Sequence, residues 1–290
     1  MPTIGESELI INDRGAVYHL DLRPEELATT VILVGDPDRV KKVSAHFDKI
    51  EFRRQHREFI SHTGTIGNKR ITCTSTGIGP DNIDITMNEL DALVNIDFNS
   101  RAINNKFCQL NIIRFGTSGS LQEDIPVDSF VASTHGLGLD NLLNFYAYEK
   151  TKEENELVSA FIAQTQLDPH ITIPYVFAGS PSLLDKFGKD FHKGITVTCP
   201  GFFGPQGRVL RLGISCPGLI DKLTRFKFLN NRITNFEMET SAIFGLGRLM
   251  GHECMSVNAI VASRLVQKFS ADSNATVERM ITAALGVLTA

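Results

Sequence analysis

The chain has 290 residues, 42% of them hydrophobic, which suffices for one large α/β domain or two small ones. Its 29 lysines and arginines stand against 33 aspartates and glutamates, a net charge of -4, so there is no clustered basic excess of the kind a nucleic-acid binder needs. No apolar run reaches the ~20 residues of a bilayer span, and the opening M-P-T-I-G-E-S-E-L-I carries acids where a signal peptide carries positive charge; a cytoplasmic protein that engages no membrane is expected.

Short apolar runs recur along the chain and read as buried strands: Thr30 to Val34, Arg70 to Ser75, Asn111 to Phe115, Phe130 to Ser133, Ile195 to Thr198 and Cys254 to Val261. Between them lie helical patterns. Asn82 to Ile96 sets Ile85, Leu90, Leu93 and Val94 near a 3.6-residue period. Glu154 to Gln166 and Glu239 to Met250 follow, and Ser273 to Leu288 places Val277, Met280, Ile281, Ala284 and Leu288 on one face. Strands alternating with helices predict a largely parallel or mixed sheet covered on both faces. No linker divides the chain, so a single domain spanning residues 1–290 is expected. The five cysteines have no C-x-x-C spacing and the eight histidines no H-x-x-x-H pattern, which predicts neither a disulfide framework nor a metal site.

Several strings carry chemistry. In V-G-D-P-D-R, Gly35 follows a strand, where its backbone can approach a ligand, and Arg39 can reach back as a fork. The same string also reads as a plain strand-to-helix turn with Asp36 or Asp38 at the helix start. In R-F-G-T-S-G-S, Arg114 sits inside an apolar strand and needs an anion, either a protein carboxylate or a ligand phosphate, while Thr117 and Ser118 add hydroxyls. T-G-I-G at 76–79 is a third glycine turn; it precedes a helix, so its N–H groups could face an anion or a cofactor, but it lacks dinucleotide-binding spacing and reads first as a simple turn. N-F-E-M-E-T-S-A supplies Glu237 and Glu239, acids suited either to a helix start or to sugar hydroxyls. In the loop Cys199 to Arg208, Phe202 can stack on a base, the Gln206 amide matches an imide edge, and Arg208 can hold developing charge; an ordinary surface loop is the alternative.

Taken together these strings resemble the nucleoside phosphorylase-I family, and within it the enzymes that cleave uridine. The resemblance runs from about Tyr18 to Arg264, through V-Y-H-L at 17–20, G-D-P-D-R-V at 35–40, H-R-E-F at 56–59, T-G-I-G at 76–79, R-F-G-T-S-G at 114–119, Q-G-R at 206–208 and E-M-E at 237–239. It implies an α/β domain on a central mixed, partly barrel-like sheet flanked by helices. It also implies phosphorolysis of a pyrimidine nucleoside, uridine, to the free base and ribose 1-phosphate. By the same resemblance Gly35, Arg39, Arg114 and Thr117 hold phosphate, joined by Arg57 from a neighbouring subunit. Met238 and Glu239 hold ribose, with His19 crossing the interface to its 5′-hydroxyl, and Phe202, Gln206 and Arg208 hold the base. Catalysis falls to Arg208, Gln206, Arg114 and Arg39. The implied assembly is a homodimer with shared sites, or a hexamer built as a trimer of dimers. No cofactor or metal is implied, inorganic phosphate being a co-substrate. Purine-cleaving relatives show Ser-Asp where this chain has Ser263-Arg264, which favours a pyrimidine. The rival expectations are a purine nucleoside phosphorylase or nucleosidase of the same fold, and a nucleoside-binding protein without turnover.

Overall fold

The computed structural model describes residues 3–290. β1 (Thr30–Val34) leads into α1 (Pro37–Ser44), and the strands β2 (Lys49–His56), β3 (Phe59–Ile66) and β4 (Lys69–Ser75) form a meander that ends in α2 (Pro80–Asn95). The small hairpin β5 (Ile96–Asp97) and β6 (Ala102–Ile103) precedes β7 (Asn111–Ser120) and β8 (Phe130–Gly138). Next come α3 (Lys152–Thr165), β9 (Tyr175–Ala178), α4 (Pro181–Leu184), β10 (His192–Thr198), α5 (Leu219–Arg225), β11 (Lys227–Phe228) and β12 (Asn231–Glu237). The chain closes with α6 (Thr240–Met250), β13 (Glu253–Ser263), β14 (Lys268–Phe269) and α7 (Ser273–Thr289).

The β1 run is apolar from Val31 to Val34 because both its faces are buried there. Side chains alternate across a strand, so Val31 and Leu33 enter the core beneath α2 and α6, while Ile32 and Val34 enter the core beneath α1 and α7. Ile112 and Ile113 of β7 divide in the same way. The expected α7 face holds: Val277, Met280, Ile281, Ala284 and Leu288 all lie in the second core. A third core sits between β10, β12 and helices α3 and α5.

The main sheet is mixed and runs β11-β12-β10-β8-β13-β7-β1-β4-β3-β2, and β12 also pairs with β7. That last pairing, Asn235 opposite Ser120 and Phe236 opposite Gly119, is antiparallel and closes five strands into a barrel. The barrel-like half and the open half share β7 and β13. The sequence signal stopped short in places. β7 continues past Phe115 to Ser120 and β8 past Ser133 to Gly138, because their polar ends are paired and buried within the barrel. β2, β3, β9 and β12 were not foreseen: β2 is a charged sheet edge, and β3 and β12 carry buried Thr, Ser and Asn in place of an apolar run. The five cysteines are free thiols. Among the described residues no helix is long and apolar enough to cross a membrane.

Candidate active site

The ends of β1, β4, β10 and β12 converge on the middle of β7, the position where open parallel sheets place ligands. A cavity of about 650 Å³ lies there. Gly35, Arg39, Arg114, Thr117, Phe202, Gln206, Arg208, Met238 and Glu239 all line it. Nine candidates drawn from four separate strings thus share one cavity.

At one end stand two guanidinium groups. Asp36 caps α1 by accepting the Asp38 N–H at 2.9 Å, which sets Arg39 on the first turn facing the sheet. Arg39 donates from Nη1 to the Phe115 carbonyl at 3.1 Å. Among the described residues no carboxylate lies within ion-pair distance of Arg39. Burial, and then the like charge of Arg114, push its pKa below the ordinary arginine value. An anion bound between the two arginines relieves that repulsion.

Arg114 answers the question its string left open: it has protein partners. Its Nη1 donates to Asn258 Oδ1 at 2.8 Å and lies 3.3 Å from Glu237 Oε2, and its Nη2 donates to Glu239 Oε2. Burial opposes its charge, but Glu239 and Glu237 hold it firmly protonated. The side chain folds back over Gly116, two residues along the same face; a Cβ there would lie 1.6 Å from Arg114 Nη1. Gly116 lies within strand β7, where a turn was expected, and is required by packing.

Glu237 ends β12 and Glu239 is the N-cap position of α6. Glu237 accepts the N–H of Glu239 at 3.0 Å, the N–H of Thr240 at 3.0 Å, and the Thr198 hydroxyl at 2.9 Å. It holds the helix start, and burial raises its carboxyl pKa despite Arg114. Both carboxylates line the cavity, and Glu239 accepts the Gly79 N–H at 2.8 Å beside Arg114. The T-G-I-G turn, with Gly77 at φ 72° and Gly79 at φ 103°, brings that N–H into place; glycine tolerates these values without a Cβ clash.

The other end of the cavity is aromatic and positive. Arg208 donates from Nη1 to Gln206 Oε1 at 2.5 Å and to the Phe202 carbonyl at 2.7 Å, and its guanidinium lies 3.8 Å over the Phe202 ring. Gln206 is only 4% exposed. Burial, then the neighbouring charge of Arg264, lowers the Arg208 pKa to about 10. Arg264 donates to the Gln206 carbonyl at 2.9 Å and the Gly207 carbonyl at 3.4 Å, so it braces this turn from outside.

His19 and Arg57 lie away from this cavity. Arg57 sits at the tip of the β2–β3 hairpin with φ 54° and extends over Tyr18, 5.6 Å from its ring, while the next residue, Glu58, lines the cavity. His19 Nδ1 is 2.7 Å from Glu89 Oε1, and the N–H of Leu20 reaches the other oxygen of the same carboxylate at 2.8 Å. Glu89 and Asn258 were missed by the sequence reading, whereas the T-G-I-G turn was read as able to offer its N–H groups to an anion, and the Gly79 N–H meets the Glu239 carboxylate. Asn258 had a signal, a lone amide inside the apolar run M-S-V-N-A-I-V; Glu89 on an amphipathic helix had none.

Comparison with known proteins agrees with this geometry. A family model described as the phosphorylase superfamily matches residues 29–289. A uridine phosphorylase from Thermococcus kodakarensis is 28% identical over 260 residues, covering 89% of this chain and 81% of the relative. The Escherichia coli uridine phosphorylase is 26% identical over 261 residues, covering 87% of this chain and 88% of the relative. Among solved structures, a Trypanosoma brucei nucleoside phosphorylase that shows uridine phosphorylase activity superposes with a TM-score of 0.88 at 30% identity, covering 97% of this chain and 99% of that one. A match spanning the sheet, the cavity and nearly the whole length leaves one assignment: the chain belongs to the phosphorylase superfamily.

Proposed function

We propose that the protein is a pentosyltransferase that cleaves uridine with inorganic phosphate, giving uracil and ribose 1-phosphate. One observation carries this reading: a single cavity holds Arg39, with no carboxylate partner among the described residues, beside Arg114 and Glu239 at one end, and the Phe202–Gln206–Arg208 group at the other. The related uridine phosphorylases support the choice of base.

In this reading Arg39, Arg114, Thr117 and the backbone at Gly35 hold phosphate, with Arg57 of a second copy completing the shell. Met238 and Glu239 hold the ribose, Glu239 by its hydroxyls, and His19 of the second copy reaches the 5′-hydroxyl. Phosphate attacks C1′ as the C–N bond lengthens, and the electron pair leaves with the base. Fixing the nucleophile in line contributes ~7–11 kcal/mol. Arg208 and Gln206 meet the negative charge growing on uracil, and a preorganised donor of this type contributes roughly 3–4 kcal/mol. The reaction needs no covalent intermediate on the protein and no organic cofactor. The shared sites require at least a homodimer. The chemistry fits pyrimidine salvage in the cytoplasm.

A nucleoside panel assayed with and without phosphate tests the proposal. Uracil and ribose 1-phosphate, formed only when phosphate is present, are expected. Hypoxanthine or adenine release would transfer the site to purines, phosphate-independent cleavage would make the protein a nucleosidase, and uridine binding without turnover would make it a binding protein.

A further inference from the structure

The position of Glu239 depends on the first turn of α6, and two carboxylates, one buried and one partly buried, hold that turn. Glu237 is one. The other is Asp140, just after β8, outside the cavity and in a segment that the reaction as described does not use. Asp140 accepts the Tyr175 hydroxyl at 2.6 Å and the Ser241 hydroxyl at 3.0 Å, and the Leu142 N–H at 2.9 Å. Ser241 is the second residue of α6, and its own N–H donates to Thr198 Oγ1 at 2.8 Å, the hydroxyl that donates in turn to Glu237. The N–H groups that a helix start leaves unpaired are thus met by side chains from β10 and β12, with Asp140 bracing the same turn through the Ser241 side chain.

The sheet is shaped to let this turn in. Gly136 and Gly138 lie two residues apart on one face of β8. A Cβ at 136 would lie 2.6 Å from the Ser241 Cα, and one at 138 would lie 2.2 Å from the Tyr175 ring at Cζ. The string G-L-G therefore seats the helix start and the tyrosine directly on the strand. Tyr175 is fully buried, and desolvating a carboxylate there is unfavourable for stability, since apolar groups of similar volume pack such a space as well. What the polar group adds is a fixed hydrogen-bond geometry at the helix start.

We propose that Asp140, with Tyr175 and Ser241, forms a positioning network that sets the α6 start so that Glu239 meets the ribose hydroxyls. This inference rests on the phosphorolysis reading. None of the three touches substrate; they act through Glu239.

The test compares Asp140→Asn, Tyr175→Phe and Ser241→Ala with the wild-type enzyme on uridine, 2′-deoxyuridine and 3′-deoxyuridine, with circular dichroism to establish folding. Ser241→Ala removes only a hydroxyl and keeps the test open should Asp140→Asn fail to fold. A misplacement of the carboxylate by about 1 Å lowers kcat/KM for uridine on the order of 10- to 100-fold. The loss shrinks to within a few-fold on the deoxynucleoside lacking the hydroxyl that Glu239 holds, since the coupled pair is then already broken. Equal losses on all three nucleosides, or wild-type rates with uridine, overturn the inference while leaving the proposed function standing. A wild-type enzyme that leaves uridine intact overturns both.

Discussion

Replacing Arg39 by glutamine separates phosphate binding from folding. In most proteins, loss of a buried arginine that has a carboxylate partner is destabilising. Arg39 differs: among the described residues its one protein hydrogen bond is to the Phe115 carbonyl at 3.1 Å, and the charge that acts on it most strongly is that of the like-charged Arg114. Removing it forfeits about 1 kcal/mol of hydrogen bonding and relieves both the desolvation of a guanidinium and its repulsion from Arg114. The two contributions offset, so Tm without phosphate should be unchanged or higher. Phosphate binding should suffer, because a charge-assisted hydrogen bond to an oxyanion contributes roughly 1.5–3 kcal/mol, or about 10- to 150-fold in KM for phosphate. Thermal shift should show the same contrast. Saturating phosphate raises the wild-type Tm by ligand linkage, and the same concentration leaves Arg39→Gln nearly unmoved. A variant that melts several degrees lower yet keeps the wild-type phosphate KM would mean that Arg39 is a structural cation and that the anion site lies elsewhere.

Arg208→Ala removes the donor to both Gln206 and the Phe202 carbonyl, so steady-state kinetics should show kcat/KM for uridine reduced roughly 10²- to 10³-fold with far-UV dichroism intact. Gly116→Ala puts a methyl group where Arg114 passes; overpacking of about 1–3 kcal/mol should lower Tm and raise the phosphate KM together, both measurable on one preparation. Glu26 receives Arg54 and Arg14, and although burial works against its charge, those hydrogen bonds hold its pKa below the ordinary value of 4.5. The unfolded chain therefore binds this proton more readily than the folded one, and the ion cluster contributes its full stability above pH 4.5. Urea melts should show wild type more stable than Glu26→Gln at neutral pH by about 1.5–3 kcal/mol, a gap that narrows as the pH falls through the acidic range. A gap independent of pH would remove the carboxylate from the account.

Local physics was legible from the residues. The V-I-L-V that follows Thr30 had to be a doubly covered strand because none of its four side chains favours water, and Gly35-Asp36-Pro37 turns into a helix because the aspartate caps it and the proline starts it. The α7 stripe named its own buried face. β2 was hidden because an edge strand, solvated along one side, can carry K-I-E-F-R-R-Q-H, and β12 because its polar residues are satisfied by neighbouring strands that the string N-R-I-T-N-F-E does not contain.

What the strings alone determined was which side chains could grip an anion, a sugar and a base, since hydrogen-bonding capacity and charge belong to each residue. What only the tertiary structure decided was their partners. Arg114 meets Glu239 across 125 positions of chain and Asn258 across 144. Arg39, by contrast, ends among the described residues without a carboxylate. Glu239 reaches Arg114 through the closure of β12 onto β7, and Asn258 through the parallel pairing of β13 with β7, long-range pairings whose register no local stretch of sequence sets.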